Sequence, residues 1–222
     1  MAPDLTLILD LSVGGFVAVL DASDGVLSHR WKTPEARHDA LGDWVEECLR
    51  EAGASFPDLR EICVGVGPGS FTGLRIAMAF AQGLALPRGL QTHGFSSFAP
   101  LHLSAAIPAN LDPSAPARVA VIPAQAGKYY VSRGLGDAGK LLDTDALKSL
   151  GAGGAAIAVH AEVPALASLR SAFGRLFAVG GNWDGPAVAR RARASGLGAD
   201  KPLYLALSAA EAKAGEAGTH AR

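Results

Sequence analysis

The chain has 222 residues, of which 49% are hydrophobic and 18% charged, a composition typical of globular proteins that excludes extended disorder. Its 20 Lys and Arg residues nearly balance its 21 Asp and Glu residues. It therefore lacks the basic excess of a nucleic-acid-binding domain, which disfavours tight RNA binding by this chain alone. The two cysteines, Cys48 and Cys63, have no metal-binding spacing. There is no signal-peptide pattern and no apolar run long enough for a membrane helix, so we expect a cytoplasmic protein.

The first elements are predicted to be strands. Apolar runs at 5–11, 16–20 and 26–31 are separated by Gly14-Gly15 and by Asp24-Gly25. Glycine-containing turns between short apolar runs are typical of hairpins, so the three strands should form an antiparallel meander.

Helical spacing of apolar residues then alternates with short apolar runs. Gly53 follows the first helical pattern as a suitable terminating residue, and Pro87 stops a long apolar stretch that is read as a buried helix. The predicted elements are a helix at 38–52, a strand at 60–66, a helix at 72–86, a strand at 91–94 and a helix at 97–106.

The second half is predicted to repeat this plan beyond a linker. Three prolines and an asparagine fall within 107–118, a composition typical of a connecting segment. We predict an N-terminal lobe at 1–107, a linker at 108–118 and a smaller lobe at 119–222, which together give an α/β protein. The elements predicted after the linker are a hairpin at 119–122 and 129–133 around Gly127, helices at 144–150, 164–173 and 186–195, and a strand at 155–160.

Residues 67–75, between a predicted strand and a helix, read GPGSFTGLR. Glycines there allow close approach of the backbone, and the N–H groups at the start of the following helix suit an anion. The alternative is a tight strand–helix turn with Ser70 or Thr72 as the N-cap. The residues of interest in this signature turn are Gly67, Pro68, Gly69, Ser70, Thr72, Gly73 and Arg75.

Known phosphate-binding and nucleophile motifs do not fit this turn. A P-loop needs a lysine, and none occurs between Lys32 and Lys128. Thr72 stands where a dinucleotide-binding turn has its third glycine, and Pro68 and Thr72 stand where a nucleophile elbow needs glycines.

The segment strongly resembles the GPGSFTGLR segment of the TsaB (YeaZ) family. The resemblance continues at 81–86, at 9–12 and at 202–205. That family is the non-catalytic, M22 glycoprotease-like dimerisation subunit of the bacterial machinery that makes threonylcarbamoyladenosine (t6A) at position 37 of tRNA. The resemblance implies a two-lobed actin/Hsp70-like fold, built on ribonuclease-H-like mixed sheets flanked by helices.

The resemblance also implies partners. These are a catalytic sibling subunit bound as a heterodimer, a companion ATPase, and a second copy of the chain when it is alone, with tRNA reached only through the complex. It implies no cofactor of the chain's own, although ATP or ADP could bind in the assembled complex. The family's first two helices form the interface, which here would use Leu41, Trp44, Val45, Cys48, Leu74, Ile76, Met78, Phe80 and Leu84. The alternative is that these side chains face the chain's own sheet.

Departures from the family pattern fall in the second lobe. Pro123 and Gln125 replace an Asp and an Arg, and His160 lies where a Gly-Asp-Gly turn is expected. The six histidines contain no pair at metal-binding spacing, so no catalytic or metal-binding residue is predicted. A nucleotide role for Asp10 is disfavoured, because an aspartate at a strand end more often forms a turn. A glycoprotease-like hydrolase and an ATP-dependent enzyme of the same fold remain alternatives.

Overall fold

The computed structural model describes residues 4–32, 40–104, 119–152, 156–160, 169–170, 173, 176–179 and 183–203. The predicted linker, most of the predicted helix at 164–173 and the C-terminal tail lie outside the described residues. Among the described helices, none is both long and apolar enough to cross a bilayer.

The first five strands form one mixed sheet. Their order is β3-β2-β1-β4-β5, with β1, β2 and β3 antiparallel and with β4 and β5 parallel to β1. The Asp21 carboxylate accepts hydrogen bonds from the Ser23 and Gly25 amides, which closes the second hairpin. The strands are β1 Leu5–Asp10, β2 Gly15–Leu20, β3 Val26–Lys32, β4 Leu59–Gly65 and β5 Gln91–Phe95.

Three helices lie in the described part of this half, and two of them cover one face of the sheet. Helices α1 (Leu41–Glu51) and α2 (Phe71–Ala85) bury their apolar side chains against β1, β2 and β4. Helix α3 (Ala99–Leu103) is shorter than predicted. Short 3-10 turns follow α1 and α2 at Phe56–Asp58 and Leu86–Arg88.

The second sheet has the same connectivity as the first. Its order is β10-β9-β6-β7-β8, with an antiparallel meander followed by two parallel strands. Sequence patterns did not predict β8 and β10, which have only three and four residues and are too short to show alternation. The elements are β6 Val119–Pro123, β7 Tyr129–Ser132, β8 Lys140–Leu142, α4 Thr144–Ala152, β9 Ile157–His160, β10 Leu176–Val179 and α5 Gly185–Ser195.

The two sheets share an apolar layer. Ile8 and Phe16 of the first sheet lie in one cluster with Ile122 and Val179 of the second. Helix α5, although late in the chain, packs against the first sheet and α3. The predicted mixed α/β class is confirmed, whereas the domain bounds at 107 and 119 stay predictions.

Candidate functional site: the signature turn and the outer face of α2

The signature turn is fixed by backbone hydrogen bonds to distant segments. The Ser70 amide donates to the Ser12 carbonyl at 2.8 Å, and the Ser97 amide donates to the Gly67 carbonyl at 2.8 Å. The Ser70 hydroxyl accepts from the Gly73 amide at 3.2 Å, which caps α2. The turn therefore joins the end of β1 to the beginnings of α2 and α3.

Two glycines of this turn are needed because other backbone segments come close. A Cβ added to Gly69 would lie 2.6 Å from the Ser12 carbonyl oxygen. A Cβ added to Gly67 would lie 2.8 Å from the Leu203 carbonyl oxygen, and Gly67 has a φ of +109°, which side-chain-bearing residues rarely adopt. These contacts support the tight-turn interpretation of the signature.

Asp10, at the end of β1, is a buried carboxyl group beneath this turn. Its Oδ1 accepts a hydrogen bond from the Ser12 amide at 2.7 Å. A Cβ at Gly65 would lie 2.4 Å from its Cγ, so β4 needs a glycine there. Burial raises the pKa of Asp10 from 3.8 to about 6, against the opposing effect of the hydrogen bond from the Ser12 amide.

We expect Asp10→Asn to change the pH dependence of stability. Because the pKa of Asp10 is raised, the folded chain keeps a proton that the unfolded chain has released between about pH 4 and 6. The contribution of Asp10 is therefore most favourable below about pH 4 and is lost as the pH rises through 6. The difference between the ordinary and the raised pKa of Asp10 corresponds to roughly 3 kcal/mol of unfolding free energy. Urea unfolding from pH 4 to 7.5 should show the asparagine variant gaining stability relative to the unmodified chain as the pH rises.

Asparagine keeps an acceptor for the Ser12 amide, so the variant should fold. Asp43→Asn removes a carboxylate at an exposed position of α1. It is the control that shows how the loss of one exposed carboxylate affects the pH dependence of stability. A stability difference between the Asp10 variant and the unmodified chain that is constant across this pH range would contradict the assignment.

The β1–β2 turn packs on the second sheet through an apolar residue. Val13, in the β1–β2 turn, packs against the apolar clusters on both faces of the second sheet. The corresponding hairpin of that sheet ends β6 at Pro123 and turns through Gln125, and the Ala124 amide donates to the Lys128 carbonyl. Pro123 and Gln125 thus stand after β6 at the positions where the family resemblance predicts an Asp and an Arg. A nucleotide in an assembled complex stays a prediction.

Most of the predicted interface residues pack inside this chain. Only Ile76, Phe80 and Leu84 remain partly exposed. The stripe of α2 that faces solvent is formed by other residues, and beyond the helix Leu86 is 80% exposed. The buried members of the predicted set are Leu41, Trp44, Val45, Cys48, Leu74 and Met78. The exposed residues of the stripe are Thr72, Arg75, Ala79 and Gly83.

The outer face of α2, which we define as Thr72, Arg75, Ile76, Ala79, Phe80, Gly83, Leu84 and Leu86, has a flat, small-residue centre. A Cβ at Gly83 would have no atom within 4 Å, whereas one at Gly42 of α1 would lie 3.8 Å from the Phe80 ring. A side chain at position 42 would therefore be in ordinary van der Waals contact with Phe80. At the beginning of the helix the Arg75 guanidinium stacks 3.7 Å above the Phe71 ring.

A serine–histidine pair, missed by the sequence analysis, lies between α3 and β7. His102 Nε2 is 3.1 Å from Ser132 Oγ, and that hydroxyl donates to the Gly134 carbonyl at 3.0 Å. Ser132 is fully buried, so this pair does not form an accessible nucleophile. The two residues are 30 positions apart in the sequence, so no short motif indicates that they are neighbours. Among the described residues no group of three or more potential metal ligands occurs.

The three arginines of α5, predicted to form a basic cluster, make contacts within this chain and do not all point to solvent. Arg193 pairs with Glu61 and Asp24, while Arg190 approaches Asp24 at 3.7 Å. Arg191 donates to the Leu135 carbonyl. These contacts attach α5 to the first sheet and to the β7–β8 loop.

Comparison with known proteins identifies the family. A family model described as "TsaD: tRNA N6-adenosine threonylcarbamoyltransferase" matches residues 33–165, more than half of the chain. The Escherichia coli (strain K12) protein named "tRNA threonylcarbamoyladenosine biosynthesis protein TsaB" is 36% identical over 76 residues. The chain belongs to the TsaB/YeaZ family. The match to the E. coli protein spans 34% of this chain and about a third, 33%, of that protein's length.

Solved structures support the fold. Two structures from Pseudomonas aeruginosa, one titled as YeaZ and one as an uncharacterized protein with similarity to peptidase YEAZ, are each 24% identical with a TM-score of 0.62. Each comparison covers 91% of this chain and 100% of the other. The predicted actin-like, ribonuclease-H-like fold is thereby confirmed.

Proposed function

We propose that this chain is the non-catalytic partner subunit of a tRNA adenosine-37 N6-threonylcarbamoyltransferase. In this role it binds the catalytic sibling and activates it. The observation that carries the proposal is the outer face of α2, where an exposed stripe of small and apolar residues lies next to side chains buried in the core. Membership of the TsaB/YeaZ family supports the assignment to t6A formation in tRNA.

The composition of the outer face of α2 suits helix-on-helix packing. Ala79 and Gly83 lie one turn apart, so a partner helix could approach the backbone closely, and Phe80 and Leu86 provide apolar contact on either side. Apolar burial at such a centre is the main source of affinity in protein interfaces. The same face would bind a second copy of the chain when the sibling is absent.

The acidic side of α1 borders this surface and adds charge selectivity. Asp43 and Glu46 are exposed, whereas Glu47 and Glu51 pair with Arg30. We expect the sibling to place basic side chains opposite Asp43 and Glu46, because complementary charge at an interface rim favours the correct partner.

A non-catalytic role is supported by the chemistry of the described residues. Asp10 is buried under the signature turn, Ser132 is buried as well, and Pro123 and Gln125 stand where the family resemblance predicts an Asp and an Arg. The proposal therefore assigns the acyl transfer to the sibling, with ATP handled by the companion ATPase and tRNA bound by the complex.

Reconstitution tests the proposal. Transfer of the threonylcarbamoyl group to tRNA would be measured with the sibling and the companion ATPase, with and without this chain. Product should appear only when this chain is present. A system that works with an established TsaB but not with this chain would contradict the proposal.

A further inference from the structure

The residues after α5 pass the edge strand β5 and reach the signature turn. We call Gly196–Leu203 the C-terminal strap. At its beginning the Gly94 amide of β5 donates to the Leu197 carbonyl at 2.9 Å. The Ser195 hydroxyl donates to the Gly94 carbonyl at 2.8 Å and accepts from the Leu197 amide at 3.0 Å. The strap is therefore attached to the exposed edge of β5.

The middle of the strap packs against α2. Ala199 is only 4% exposed and belongs to the same core cluster as Ala77 and Ala81 of α2. Its carbonyl accepts a hydrogen bond from the Gln82 side chain at 3.4 Å. The strap thus covers the flank of α2 that lies beside β5.

The end of the strap reaches the segment between β4 and α2. The Leu203 amide donates to the Val66 carbonyl at 2.7 Å. The close approach of the Leu203 carbonyl also requires glycine at Gly67, where a Cβ would be 3.0 Å from Leu74 Cδ1 of α2. The strap is therefore in contact with Gln82 near the end of α2 and with the signature turn that precedes the helix.

We propose that the C-terminal strap is a positioning element that holds α2 in the orientation the partner recognises. The inference rests on the proposed function, since it concerns the same surface. Helix α2 packs on the sheet through one side only, and packed helices can slide on a sheet unless a second contact fixes them. The signature turn fixes the segment before α2 through Ser12 and Ser97, and the strap supplies a further contact along the helix at Gln82. Because Arg193 fixes α5 to Glu61 and Asp24, the strap also links the second half of the chain to the partner surface.

Gly94→Ala is the variant that displaces the strap most selectively. A Cβ at this position would lie 2.6 Å from the Gly198 carbonyl oxygen and 3.0 Å from the Leu197 carbonyl oxygen. These are backbone atoms of the strap, so the strap must shift away from β5. Gly136→Ala is the matched control, because a Cβ there has no atom within 4 Å.

We expect Gly94→Ala to expose the Leu203 amide and the α2 amides to faster hydrogen exchange. Affinity for the purified catalytic sibling should fall roughly 10-fold, while the Gly136 control keeps both properties. If Gly94→Ala does not fold, Leu203→Pro removes the donor to Val66 and is measured in the same way.

The two proposals fail differently. Unchanged affinity, or unchanged exchange of α2, in a folded variant with a displaced strap would overturn the positioning role. Failure of the unmodified chain to bind the sibling would instead contradict the proposed function, and the exchange of α2 in Gly94→Ala would still decide whether the strap holds the helix.

Discussion

Ala79→Arg is expected to weaken association with the catalytic sibling by on the order of 100-fold, equivalent to about 3 kcal/mol. Ala79 lies at the centre of the outer face of α2 and is exposed in the single chain. Arginine is a good helix former, so the variant should fold normally. In the complex, however, its long charged side chain would occupy the space that a partner helix needs. Titration calorimetry with the purified sibling measures the loss, and t6A formation should decline in parallel.

Leu135→Arg is the control for this experiment. It also places an arginine at an exposed position, but Leu135 lies in the loop between β7 and β8, away from α2. We expect its affinity to equal that of the unmodified chain. If the Ala79→Arg variant bound the sibling as tightly as the unmodified chain does, the partner would not use the outer face of α2.

Gly69→Ala is expected to lower the free energy of unfolding by about 3 kcal/mol, the upper end of the cost of overpacking. The added Cβ would lie 2.4 Å from Ser12 Cβ and 2.6 Å from the Ser12 carbonyl oxygen. Neither can move freely, because the Ser12 carbonyl accepts the Ser70 amide and its own amide donates to Asp10. Chemical unfolding at pH 7 measures the effect.

Gly134→Ala is the control, because it adds a Cβ at a glycine with free space around it. No atom lies within 4 Å of a Cβ added there, so its stability should differ from that of the unmodified chain by less than about 1 kcal/mol. If Gly69→Ala were as stable as Gly134→Ala, the close approach of the signature turn to Ser12 would not be a structural requirement.

The class and order of elements follow from local sequence. The apolar runs separated by Gly14-Gly15 and Asp24-Gly25 form the antiparallel strands β1 to β3, and the helical patterns on either side of β4 form α1 and α2. Short-range signals suffice because a strand or helix with one buried face must repeat apolar residues at its own period. The nine-residue signature likewise identified the family before any contact was known.

Only the tertiary structure showed which helical residues face the core and which face solvent. An apolar residue of α2 looks the same in sequence whether it is buried, as Leu74 is, or partly exposed, as Phe80 is. The predicted interface therefore mixed core residues with surface residues. Ala79 and Gly83, which form the exposed centre of this face, were not among the predicted interface residues, because small residues give no strong apolar signal.

The sequence by itself determined the mixed α/β composition, the strand and helix order of the first half and the family, because these depend on local periodicity and on one contiguous motif. The tertiary structure alone decided the contacts between distant segments. These include the burial of Asp10 beneath the signature turn, the His102–Ser132 pair, and the path of the C-terminal strap past Gly94 and Gly67. Such contacts join residues far apart in the chain, and their geometry depends on how the two sheets pack against each other.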